Sequence, residues 1–146
     1  VRAGRAAAVF ALLVACSGDT SRLAPELQAR FAAEGQLHRA DNVWFRYTHD
    51  AGTRSAGWED RRGSIIVTRQ TVLIHKNEKV GIEITPASRR FYDVTRDGAR
   101  VRIGAGSGKS REVWSFTPAE DAEGWVRDVR AVIRQARAEP HDPGAP

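Results

Sequence analysis

The stretch IGAGSGKS, residues 103–110, holds the residue types that cradle phosphates: glycines that let backbone N–H groups approach an anion, then a lysine and a serine. Such a loop needs a glycine five places before the Gly-Lys-Ser, and this chain has Ile103 there. It must also feed a helix whose amino terminus faces the phosphates, whereas 111–116 alternates as a strand with Trp114 and Phe116 on one face. The spacing excludes a nucleotide site and predicts a hairpin in which Gly104, Gly106 and Gly108 supply backbone freedom. Lys109 at its tip is then a solvated charge or a contact for a phosphate headgroup.

The other reactive side chains are scattered. His38, His49, His75 and His141 lie in different contexts, and none stands at metal-ligand spacing from another histidine or from a cysteine. His75 shares a strand face with Leu73 and reads as a hydrogen-bonded or edge histidine. Glu59-Asp60 reads as a solvated pair of acids. No catalytic residues, cofactor or metal are expected. The segment 51–62 mixes Trp58 with Glu59-Asp60 and Arg61-Arg62. There, Trp58, Arg61 and Arg62 either form a contact surface, the aromatic inserting and the arginines pairing at a lipid surface, or Trp58 packs locally and the arginines are solvated.

One cysteine, Cys16, stands at the end of a leader-like segment. Residues 1–5 carry two arginines and no acid, 6–13 is an unbroken apolar run, and Ser17, Gly18 and Asp19 follow the cysteine. The run is far below the roughly 20 residues needed to span a bilayer. Leu13-Val14-Ala15-Cys16 resembles the lipobox of bacterial lipoproteins. The resemblance implies a signal peptide over 1–15, a diacylglyceryl group on Cys16, a lipidated tether over 16–21, and an exported protein held in the cell envelope. A single cysteine can form no internal disulfide, and lipidation accounts for the odd thiol. Removing 1–15, with Arg2 and Arg5 and no acid, lowers the net charge from +5 to +3. That modest excess suits an anionic lipid surface and gives no reason to expect nucleic acid.

The length of 146 residues suits one domain. Leu23, Leu27 and Phe31 recur at helical spacing, so 22–35 is an amphipathic helix ended by Gly35, its stripe packed on the domain rather than laid in a membrane. From Asn42 the period falls to two, which predicts strands over 42–49, 63–68, 71–76, 79–85, 90–95, 99–104 and 111–116. Asp97-Gly98 and Asn77-Glu78 turn adjacent antiparallel pairs. Alternation puts Val101 and Ile103 inward against Arg100 and Arg102, and Val80, Ile82 and Ile84 inward against Glu83. Thr117-Pro118-Ala119-Glu120 reads as a capping box that starts a final helix. In that helix Ala122, Trp125, Val129, Val132, Ile133 and Ala136 form one apolar stripe. The tail, 138–146, is expected to be disordered.

Two pieces, GSIIVTRQTVLIHKNEKVGIEI and TPAEDAEGWVRDVRAVI, resemble the early hairpins and the closing helix of pleckstrin-homology (PH-like, GRAM-like) domains. The resemblance implies a mainly β fold over 42–137: a seven-stranded antiparallel barrel closed by a C-terminal helix and preceded by a short N-terminal one. A sheet with a helix laid across it is the rival arrangement. In function it implies a binding module for an envelope protein partner, tethered to a membrane. The alternative is a small-molecule or lipid carrier, or an enzyme, using a pocket between barrel and helix.

Overall fold

The computed structural model describes residues 23–50, 55–76, 79–107 and 109–138, and within them every side chain except those of 55–58, 107 and 138. The leader, Cys16, the tether, Asn77-Glu78, Gly108 and the tail beyond 138 lie outside the described residues.

The elements run α1 (Pro25–Glu34), β1 (Gln36–Asp50), β2 (Ser55–Thr68), β3 (Val72–Lys76), β4 (Lys79–Ile84), β5 (Phe91–Asp97), β6 (Arg100–Ser107), β7 (Ser110–Phe116) and α2 (Ala122–Ala138). All neighbours are antiparallel, in the order β4-β3-β2-β1-β7-β6-β5. Laid flat, seven strands would span about 29 Å from first to last. Yet one apolar cluster draws on all of them, with Phe45, Ile65, Ile74, Ile82, Val94, Ile103 and Trp114 among its members. The sheet must therefore curl around its own inner face into a half-barrel. The edge strands β4 and β5 do not pair with each other, and α2 packs on β5 and β6 while also touching β4. Its stripe is buried as expected, Trp125, Val129, Val132 and Ile133 entering the same cluster, joined by Val126.

β2 and β3 are covered on both faces. Ile65, Val67, Val72 and Ile74 point into the barrel, while Ile66 and Leu73 point outward under Leu23, Leu27 and Phe31. This explains why those strands read as unbroken apolar runs. It also places the α1 stripe on the domain. A polar latch fixes the helix there: Thr68 Oγ1 donates to Glu34 at 2.7 Å, and Arg30 donates to Glu34 at 2.8 Å and to the Thr71 hydroxyl at 3.1 Å. Burial pushes the Glu34 carboxyl up, but the hydrogen bonds from Arg30 and Thr68 outweigh it and leave the group below its ordinary value.

Several expectations need correction. β1 starts six residues before the expected 42, and β2 starts at Ser55, so most of the 51–62 loop is strand. Its polar alternation hid it: outward Arg46 faces outward Asp60, and Trp44 faces Arg62. Gly104 and Gly106 lie inside β6 rather than in the turn, since β6 and β7 stay paired as far as Ser107 and Ser110. A Cβ at Gly104 would stand 2.1 Å from Asp93 Oδ1, so a side chain there would push the Asp93 carboxylate away from its place beside Arg111. Val80 is 56% exposed rather than inward, because an irregularity between Ile74 and His75 in the β3–β4 register breaks the alternation before Ile82. α2 begins at Ala122 rather than at the Thr117 box. Asp121 caps it instead, its Oδ1 accepting the Gly124 N–H at 3.0 Å.

Candidate functional site

Near the second half of β1 the barrel opens into a cavity of about 360 Å³ lined by Arg61, Lys76, Lys79, Val80, Gly81 and Trp114. Strand geometry assembles it. Arg61 pairs with Phe45, and Trp114 pairs with Tyr47, so both side chains stand on the inner face of the curl. Lys76 and Lys79 pair with each other where β3 turns into β4. Gly81 makes the cavity possible, because a Cβ there would meet the Trp114 ring at 2.8 Å.

The cavity has an excess of donors. Trp114 is buried, and among the described residues its indole Nε1 has no hydrogen-bond partner; the buried Arg61 Nε likewise has none. Leaving a buried donor unpaired costs about 1–3 kcal/mol, so two on side chains that line one cavity would be stabilised by an acceptor toward which those side chains turned. Among the described residues neither Lys76 nor Lys79 is in an ion pair. Arg61 is paired with Glu59, and its guanidinium lies 3.9 Å from the centre of the Tyr47 ring. Burial, reinforced by the nearby Glu112 carboxylate, pushes the Tyr47 hydroxyl up, so it stays a neutral donor toward Glu112 at 3.4 Å. The arrangement can hold an anion by charge and by N–H donation together.

Of Trp58, Arg61 and Arg62, the two arginines are not brought to one surface. Arg61 faces the cavity, whereas Arg62 points outward, its guanidinium 5.3 Å from the centre of the exposed Trp44 ring. Consecutive strand residues face opposite sides, so a loop was required for both to act on one surface. The Trp58 backbone pairs with Thr48, and its side chain lies outside those described. Lys76, Lys79 and Trp114 were not singled out from sequence. Trp114 could have been, since a tryptophan facing inward beside polar strand residues needs a partner for its N–H.

Two other polar clusters stand apart. His38 Nε2 lies 2.6 Å from Asp128 Oδ2 and its ring stacks on Trp125 at 4.6 Å, beside a cavity of about 310 Å³ between β1 and the start of α2. Hydrogen bonds from Arg127, with His38 adding to them, hold the Asp128 carboxyl below its ordinary value. Ser64 and His75 face each other across β2 and β3, both buried, yet among the described residues neither Ser64 Oγ nor His75 Nδ1 has a hydrogen-bond partner. The described residues contain no cluster of three or more His, Cys, Asp or Glu able to hold a metal, and no helix among them is long and apolar enough to cross a membrane.

No family model and no curated protein matches the chain. Among solved structures it is similar to a chain of "The 8S snRNP Assembly Intermediate" at 15% identity, over 77% of this chain and 90% of that one, with a TM-score of 0.42. A likeness that weak bears on neither fold family nor function. What the geometry defines is a curled seven-stranded antiparallel half-barrel with a C-terminal helix across its edges and a donor-rich mouth.

Proposed function

We propose that this chain is a lipid-anchored binding module with a PH-like domain, and that the domain recognises an anionic group, a phosphate or carboxylate, in the cavity of Arg61, Lys76, Lys79 and Trp114. The observation that carries the reading is a pair of buried donors, Trp114 Nε1–H and Arg61 Nε–H, that have no partner among the described residues, on side chains lining a cavity with two lysines that make no ion pair among those residues. An anion there would neutralise the lysines by charge, and a small turn of the Trp114 ring and the Arg61 side chain would let it accept from both buried N–H groups. The strand order and the terminal helix with buried Trp125 support the PH-like part of the reading. The lipobox Leu13-Val14-Ala15-Cys16 supports the anchor, which would set the domain at an envelope membrane beside a protein or lipid partner.

The test is nitrogen-edited NMR of the full chain titrated with inorganic pyrophosphate. The Trp114 indole N–H resonance is expected to move saturably while that of Trp125 stays. A Trp114 resonance unmoved to millimolar pyrophosphate would overturn the anion site.

A further inference from the structure

The first half of β1 carries a feature that the mouth does not use. From Arg46 to Asp50, β1 is paired on one side with β2 and on the other with β7. From Gln36 to Phe45 it pairs with β2 alone, because β7 ends at Phe116 and the chain turns away into α2. Among the described residues no strand therefore pairs with the other edge of this segment, which leaves it as a template for an added strand. The cavity of about 310 Å³ adjoins it, lined on the β1 side by Leu37, Arg39 and Ala40 and on the side of the segment before α2 by Ala119, Glu120 and Asp121. Its floor is fixed: His38 is stacked on Trp125 and held by Asp128.

We infer that this groove docks a short extended segment of a partner protein, bearing apolar and basic side chains, as an added strand on the edge of β1. The free edge requires extended backbone. Leu37, 43% exposed, offers an apolar contact. The charges define the rest: Arg39 is neutralised by Asp41 at 2.9 Å, whereas Glu120 on the opposite wall has no basic partner among the described residues, so the uncompensated charge is acidic. Register shifts between Gln36 and His38 and between Ala40 and Val43, with Asn42 at φ 55°, leave only His38, Arg39 and Ala40 regular between them. Bulged edges resist long pairing with a second copy, and three regular residues suit a short segment. The site lies toward the opposite end of β1 from the mouth and prefers the opposite charge, so it is independent of the anion reading.

The experiment uses two capped probe hexapeptides, one alternating Lys and Val, the other Glu and Val, with amide hydrogen exchange of the full chain as the second readout. The Lys-Val peptide is expected to bind at least about tenfold tighter than the Glu-Val peptide and to slow exchange of amides within 37–45. Glu120→Lys, an exposed change outside the core, should erase that preference, and backbone N-methylation of the probe should abolish binding. The inference is overturned if neither peptide slows those amides, if the preference survives in Glu120→Lys, if N-methylated probes bind equally, or if protection of β1 tracks the concentration of the chain itself, which would make a second copy the occupant.

Discussion

Trp125 joins the helix to the barrel through three contacts at once. Its ring meets Phe116 edge-on at 5.2 Å, stacks on His38 at 4.6 Å, and is buried in the central cluster. Deleting a buried aromatic costs about 3–5 kcal/mol, so Trp125→Ala should lower stability by that amount in denaturant melts, and a loss below about 1 kcal/mol would show that α2 does not close the core. Asp128 gives a pH signature. Its pKa is lowered on folding, by Arg127 first and His38 second, so its contribution is present above its ordinary value of 3.8 and is lost as pH falls through the lower folded value. Asp128→Asn should therefore lose less stability than wild type between about pH 4 and pH 2. Parallel acid-denaturation curves for the two proteins would contradict that assignment.

At the scale of elements, α1 is a second layer rather than a membrane-lying helix, since Phe31 is buried against Ile66 and Leu73 on the outer face of the sheet. Phe31→Ala should cost about 3–5 kcal/mol in the same melts, and an unchanged midpoint would mean the helix is dispensable to the fold. The sequence made most of the architecture legible because burial leaves a period. Val101 and Ile103 against Arg100 and Arg102, and the stripe from Ala122 to Ala136, are read correctly for that reason. The errors fall where burial does not set the pattern. β2 from Ser55 to Arg62 reads SAGWEDRR, four charges in a row after a single aromatic, and no apolar alternation marks it as strand. Val80 is misread because one irregularity in register moves it off the inner face. The mouth was illegible for a related reason: Arg61, Lys76, Lys79 and Trp114 come from three separated segments and meet only when the sheet curls.

For the whole molecule, the proposal is an anchor at Cys16 joined to a domain whose mouth would take an anion. If the lipobox acts, Cys16→Ser yields an uncut, acyl-free precursor, because a hydroxyl is a far poorer nucleophile than a thiolate for forming the diacylglyceryl thioether. Each buried CH₂ contributes about 0.8 kcal/mol, so the acylated wild type should stay with membranes through high-salt washing while the variant is released; equal retention of both would count against the anchor. The central claim, recognition of an anion by the mouth, is tested most directly by calorimetric titration of the full chain, held in neutral detergent, with pyrophosphate at two salt concentrations. The account predicts saturable one-to-one binding that weakens with salt and falls at least about tenfold in the Lys76→Ala, Lys79→Ala double variant, whose two lysines lie in no ion pair among the described residues. Binding of equal strength in wild type and the double variant, or no heat of binding to either, would contradict it.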